Sequence, residues 1–289
     1  MSTIRFARLS FERKLSHYVD QRDAIERRRA ALREVIDFST NVNALLQGTD
    51  MAEKTNKGTW YFGDVQEGED YIAARLGKQT EETGREPDED IRGFRQVRRD
   101  DTVVSFFVID LRSSVMAFQF RRDIGRKAPF RILRAAFNSY YNREEEISAS
   151  PLVDKEEVRE EIAKLKKITR VRFSSLTPPN PDSTNSSRPM HEFLADSGID
   201  RLLFDGESDG DEDEGINLEG DALLDGGLNL AEEGYGSATI EGEDELGEEK
   251  RVTTDEKPIE SEVDMADDDE FNRRTLLAEV RDALDKLED

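Results

Sequence analysis

The chain has 289 residues, no cysteine and a net charge of −24. The missing cysteines exclude disulfide frameworks and thiolate metal sites. No run approaches the roughly 18 apolar residues that span a bilayer. The first residues, Met1-Ser-Thr-Ile-Arg-Phe-Ala-Arg, carry no apolar core of a secretory leader, so the expectation is a cytoplasmic protein with no membrane partner.

Charge is unevenly placed. Residues 1–175 hold 33 Lys+Arg against 30 Asp+Glu, and residues 176–289 hold 9 against 36. Thirty of the 42 basic residues are Arg, a composition like that of proteins from salt-loving archaea. A halophile surface is acidic throughout, however, and the first half is not. Aromatics divide the same way, since only Phe193, Phe204, Tyr235 and Phe271 lie after residue 176. Aromatic burial dominates core energetics, so the first half can build the larger core.

In chain order, residues 3–11 alternate Ile4, Phe6 and then Leu9, which predicts a strand. Ile25, Leu32, Val35 and Ile36 predict a helix from about Asp20 to Phe38. Trp60–Val65 reads as a strand, and Tyr71–Gly77 as a short strand or a turn of helix. Residues 78–92 are polar with one proline and read as an exposed loop. Thr102–Leu111 and Val115–Arg122 flank Arg112-Ser113-Ser114 and read as a β-hairpin. Its first strand is apolar on both faces and therefore central.

Pro129 can open a helix, continued by Phe130, Leu133, Phe137 and Tyr140 or Tyr141. A further helix is predicted over Lys155–Lys167, and a strand over Ile168–Ser174. Four of the eight prolines fall at 178, 179, 181 and 189 and mark a boundary or a stiff connection. Beyond it, His191–Phe204 reads as a short helix. Residues 206–247 hold ten of the 19 glycines among acids and read as linker, with short strands at Gly236–Glu241 and Lys250–Thr254. The last 20 residues form an amphipathic helix through Leu276, Leu277, Val280, Ala283, Leu284 and Leu287, which can dock in cis or in trans.

These elements predict an α+β fold, mainly antiparallel sheet with packed helices. The expected organisation is an N-terminal domain over 1–177, a Pro-rich connection over 178–189 and an acidic C-terminal region over 190–289 with loose strands and a terminal helix.

The candidate site is basic. Arg121, Arg122, Arg126, Lys127, Arg131, Arg134 and Arg143 sit together, with Asp123 the only acid among residues 121–143 and Tyr140 and Tyr141 nearby. A strand end, a loop and a helix start would place the first six on one rim. Clustered cations of this kind meet phosphates without reading sequence, and the helix N-terminus adds amide donors. The competing reading is a solvated face that balances the acidic half.

Other motifs are weaker. A loop from Asp209 has acids at its first, third and fifth positions, but Glu214 and Gly220 stand where calcium loops need Gly and Glu. Glu248-x-Lys250 with Asp244, or Asp255-x-Lys257, resembles the carboxylate–Glu-x-Lys pattern of metal-dependent nucleases. His17 and His191 are the only histidines and have no motif partners, and no dinucleotide or Walker loop occurs. Trp60-Tyr61-Phe62 has the residue types to stack bases, though a buried strand is the commoner fate. No cofactor and no metal site are expected.

Several segments together resemble a known family: Trp60-Tyr-Phe-Gly-Asp-Val, Tyr71-Ile-Ala-Ala-Arg-Leu-Gly-Lys, Met116-Ala-Phe-Gln-Phe, Val171-Arg-Phe-Ser-Ser-Leu-Thr-Pro-Pro-Asn-Pro-Asp and Gly234-Tyr-Gly-Ser-Ala-Thr-Ile-Glu-Gly. Their order over residues 60–260 is similar to that of an uncharacterised prokaryotic family linked with phage defence, distantly like RexA-type abortive-infection proteins. The resemblance implies an α+β N-terminal domain and a defence role through DNA or protein contact, and it carries no catalytic residues. The functional expectation is therefore an interaction protein that binds DNA or RNA through the rim, or a protein partner or second copy through the C-terminal helix. A metal-dependent nuclease and a pure scaffold are the alternatives, and enzymatic activity is left open with the balance against it.

Overall fold

The computed structural model describes residues 1–11, 21–38, 42, 59–88, 93–142, 146–179, 190, 193–194, 196–208, 215–218 and 221–288. Arg143, the two histidines and the acidic stretch 209–214 lie outside them. The fold is α+β, with two antiparallel sheets and five helices among the described residues.

The larger sheet contains β1 (Ser2–Phe11), β2 (Thr59–Glu67), β3 (Tyr71–Asp88), β4 (Gly93–Asp110), β5 (Val115–Gln119), β6 (Ile147–Pro151) and β11 (Glu260–Val263). The spatial order is β11-β1-β5-β4-β3-β2. β11 runs beside Ser2–Arg5 of β1, and β6 beside Ala7–Phe11. The smaller sheet, ordered β10-β9-β7-β8, contains β7 (Leu165–Leu176), β8 (Leu202–Glu207), β9 (Ser237–Asp244) and β10 (Glu249–Thr253).

Side-chain alternation sends each central strand into two cores. Ala7, Leu9 and Phe11 of β1, with Met116 and Phe118 of β5, pack under α1 (Gln21–Phe38) and α2 (Ala128–Tyr140). Ile4, Phe6, Val115, Ala117, Phe106 and Val108 face the opposite way, onto α5 (Asp269–Glu288). The helix stripe predicted at the C-terminus fills this second face: Leu276, Val280, Ala283 and Leu287 are buried against the sheet in cis. Full burial of each large aliphatic side chain stabilises by about 1.5–3 kcal/mol. The two-faced apolar strand predicted at 102–111 is thus central because helices cover both of its sides.

The remaining helices, α3 (Lys155–Ala163) and α4 (Ala222–Glu232), start at aspartate caps. Asp154 accepts the Glu157 amide at 3.1 Å, and Asp221 accepts those of Leu223 and Leu224 at 2.8 and 3.1 Å. α4 lays Leu228, Leu230 and Ala231 on Val171, Phe173, Ala238 and Ile240 of the smaller sheet.

Four expectations change. Residues 78–92 are not a loop up to Asp88: β3 and β4 pair from Tyr71↔Asp110 to Asp88↔Gly93. β2 pairs with β3 only as far as Gln79, and β5 with β4 only from Phe107. The outer hairpin therefore needs no apolar pattern to hold a sheet face. The helix predicted to run through Phe204 gives way to β8, which pairs antiparallel with β7. The linker predicted over 206–247 contains α4, whose Gly227 is required by contact: a Cβ there would sit 2.6 Å from the Phe173 ring. Finally, the proline-rich stretch does not divide the sheets. β7 precedes it yet is central in the smaller sheet, and β11 and α5 follow it yet belong to the larger one.

Candidate functional site

The turn Phe120–Lys127 joins β5 to α2. Phe120 N–H donates to the Thr3 carbonyl at 2.8 Å, which fixes where the strand ends. Ile124 and Gly125 N–H both donate to the Arg121 carbonyl, at 3.1 and 2.9 Å. Gly125 has φ +97°, a left-handed conformation that closes this turn without strain. Lys78 of β3 reaches across and donates to the Asp123 carbonyl at 2.6 Å, with its ammonium 5.5 Å from the Trp60 ring centre.

The six expected cations separate into groups. Arg121, Arg122 and Arg126 are exposed on the turn, and Lys127 is half-buried at its end. Arg126 and Lys127 line a cavity of about 240 Å³ together with Arg5, Phe118, Phe130 and Asp255. Arg131 and Arg134, partly buried along α2, are not in its lining. Tyr140 and Tyr141 lie at the other end of α2, about 20 Å away at 1.5 Å per residue. There Tyr141 donates to Glu34 at 2.9 Å. Trp60 and Phe62 are core residues, 4% exposed each.

α2 has no side-chain cap at Lys127, and Pro129 lies in its first turn. Lys127 and Phe130, at this positive end of the helix dipole, line the cavity. Arg5 is the residue that the sequence pattern missed. It pairs with Phe118 across β1 and β5, and so belongs to the face under α2. Arg5 is 7% exposed, lies 4.7 Å from the Phe120 ring centre and forms an ion pair with Glu260. Its Nε–H is buried without a hydrogen-bond acceptor among the described residues. In sequence Arg5 is one polar position of an alternating strand, and only the β1–β5 pairing brings it to the rim.

The acidic half touches this rim at a defined place. A 3-10 turn, Thr254–Glu256, sets Asp255 against Lys127, Nζ to Oδ2 2.8 Å. The turn is anchored by the Thr254 hydroxyl, which accepts the Ala238 amide at 3.0 Å.

The nuclease-like patterns resolve into local contacts. Asp244 accepts the Leu246 and Glu248 amides at 2.9 and 3.0 Å, and Lys250 binds Glu248 at 2.7 Å, so these residues close the β9–β10 turn. The backbone N–H groups hold the Asp244 carboxyl below its ordinary value. Asp255 faces Lys127, whereas Lys257 faces Glu157 and Glu161 at 3.4 and 3.9 Å, so that pair diverges. Among the described residues no group of three or more His, Asp or Glu converges as metal ligands do.

A second charged cluster, absent from the sequence reading, lies between the sheets. Arg8 donates from Nε to the Glu233 carbonyl at 2.6 Å and from Nη1 to the Tyr235 hydroxyl at 3.1 Å. Glu232 is fully buried and takes Arg159 at 3.0–3.3 Å on both carboxylate oxygens. Burial pushes the Glu232 carboxyl upward, and pushes that of Glu233 up to about 7. Arg8 fastens the end of α4 to β1 and Arg159, itself 44% exposed, fastens it to α3, which makes the cluster a joint between sheets.

Among the described residues, no helix is long and apolar enough to cross a membrane. No curated protein matches the chain. The family described as "Domain of unknown function (DUF4747)" matches residues 3–281, from the first residues of β1 into α5 and across both sheets. With the match extending over nearly all of its length, the chain belongs to the DUF4747 family.

Proposed function

We propose that this protein is a non-enzymatic interaction protein that contacts nucleic acid through its phosphates, on the rim formed by Arg121, Arg122 and Arg126. The observation that carries this reading is the turn itself. Three exposed guanidinium groups project from six consecutive residues, beside the half-buried Lys127 and the open N-terminus of α2. Arg is suited to the task because its planar fork meets phosphate oxygens bidentately. The rest of the surface works against non-specific spreading, since residues 176–289 carry far more acid than base.

The biological setting is proposed on resemblance: a prokaryotic phage-defence system of the abortive-infection type, distantly RexA-like. A nuclease reading has less support, because the carboxylates it would use cap a turn or pair with lysines of their own.

The test is binding of the full-length protein to labelled duplex DNA and to single-stranded DNA and RNA across a salt series. Affinity should fall steeply with salt, with a logarithmic slope of about −0.9 per phosphate neutralised on duplex DNA. Absence of salt-dependent binding to all three would overturn the proposal and favour a protein partner.

A further inference from the structure

We infer that the cavity beneath the rim is a subsite for a phosphomonoester, carried by a strand end or by a free nucleotide, with Asp255 as its built-in competitor. The inference deepens the reading above and rests on it for the strand that would lie along Arg121 and Arg122.

Size is the first argument. The cavity measures about 240 Å³. Pockets that enclose whole organic ligands run from about 300 to 1,000 Å³. A phosphoryl group with its ester oxygen fits, while the remainder of a nucleotide would lie outside, over the exposed turn.

Donors are the second. Arg5, Arg126 and Lys127 bring three cations to the lining. Arg5 is built into the sheet, 7% exposed, and its Nε–H has no acceptor among the described residues. A buried N–H without a partner is destabilising and rare; because Nε is closed to solvent, what Arg5 offers the cavity is a fixed positive charge and not that donor. The α2 N-terminus adds oriented amides next to Lys127 and Phe130, an arrangement that favours anions.

Three cations here face three carboxylates, so a ligand must compete with them, and a monoester brings the larger charge to that competition. A phosphodiester carries one negative charge, whereas a terminal phosphate carries about −1.5 to −2 at neutral pH. In the structure two of the three cations are paired with carboxylates: Lys127 with Asp255 at 2.8 Å and Arg5 with Glu260. Glu256 also lines the cavity. Asp255 and Glu260 remain 27% and 43% exposed, so these pairs are partly solvated and weak. A dianion held by Arg126, Lys127 and the fixed charge of Arg5 can displace Asp255 from Lys127, and Asp255 then sets how much phosphate is needed.

The experiment compares the full-length protein with Arg126→Ala, Lys127→Ala and Asp255→Asn, using one single-stranded oligonucleotide with and without a terminal phosphate, and adenosine monophosphate alone. The end-phosphorylated strand should bind on the order of tenfold tighter than the hydroxyl-ended one, the size of one or two charge-assisted hydrogen bonds. Lys127→Ala and Arg126→Ala should each reduce that preference. Asp255→Asn should tighten the phosphorylated strand and leave the other unchanged. Equal binding of both strands by the wild type and by Asp255→Asn would overturn the subsite while leaving the rim reading intact. Binding of adenosine monophosphate, strengthened by Asp255→Asn, without binding of either strand would support the subsite and overturn the nucleic-acid reading. Neither strand nor nucleotide binding would overturn both.

Discussion

Arg8 holds Glu233 by its backbone and not by its carboxylate: Nε donates to the Glu233 carbonyl at 2.6 Å. The guanidinium also lies 4.8 Å from the Tyr235 ring centre. Gly234, between the two, has φ +84°, and a Cβ there would meet the Arg8 Cβ at 2.9 Å. The Arg8 side chain of β1 therefore packs directly on the backbone that follows α4, and this hydrogen bond does not depend on whether Glu233 is ionised, although the Arg8 charge opposes the rise of the Glu233 carboxyl.

The Glu233 carboxyl itself makes stability depend on pH. Its ordinary value is 4.5, and burial raises it to about 7 in the folded protein. Below about pH 4.5 both states hold the proton and nothing is lost. Between there and about 7 the unfolded chain releases the proton and the folded one keeps it, so stability falls as pH rises. At 1.36 kcal/mol per unit the loss is about 3 kcal/mol. Buried Glu232, also raised, acts in the same direction although Arg159 opposes the shift. Urea midpoints should be higher at about pH 5 than at about pH 8. Glu233→Gln should flatten the difference and gain stability at the higher pH. Equal wild-type midpoints at the two values would refute the raised carboxyl. Asp205, held low by Arg170, and Asp244 act oppositely, and their contribution is lost as pH falls further.

Gly227 brings α4 close against the smaller sheet. A Cβ would lie 2.6 Å from Phe173, whose ring packs 5.7 Å from that of Phe204. In an open helix, alanine for glycine gains about 1 kcal/mol. Here overpacking should cost about 1–3 kcal/mol and reverse the sign. A thermal melt of Gly227→Ala distinguishes the two, and a more stable variant would show that α4 does not seat on Phe173.

α5 supplies the second core of the larger sheet. Val280→Ala or Leu276→Ala removes a fully buried side chain and should cost about 2–5 kcal/mol for Leu276, less for Val280. Removing residues 186–289 should give no soluble protein, because Phe106 and Val108 would lose their cover along with β11. Charge variants at Asp255 therefore test the acidic half where deletion cannot. A soluble, cooperatively folding truncation would mean that α5 is dispensable.

What the sequence shows depends on whether a signal is local. The β4–β5 hairpin, the α5 stripe and the turn cations are each contiguous, so periodicity and charge suffice to find them. Arg5, Lys78 and Asp255 reach the rim from three other segments, through strand pairing that no local pattern encodes. α4 is hidden because Gly226-Gly227 reads as linker, although Gly227 answers to Phe173. β8 is hidden because an edge strand leaves Leu203 and Phe204 exposed, 63% and 37%, and so lacks a clean alternation. The C-terminal charge excess looks like a separate region, yet apolar burial places β11 and α5 on the larger sheet.

The six cations of the rim should not be equivalent. Arg121 and Arg122 are exposed on the turn, while Arg131 and Arg134 are partly buried along α2. Exposed phosphate contacts each contribute about one counterion to the salt dependence. Arg121→Ala with Arg122→Ala should therefore reduce the slope of log affinity against log salt by about 2, with similar weakening for every sequence tested. Arg131→Ala with Arg134→Ala should leave the slope unchanged. Circular dichroism of each variant checks that folding is retained before the slopes are compared. If the α2 pair lowered the slope and the turn pair did not, nucleic acid would run along the helix and not over the turn, and the rim would have to be redrawn around Arg131.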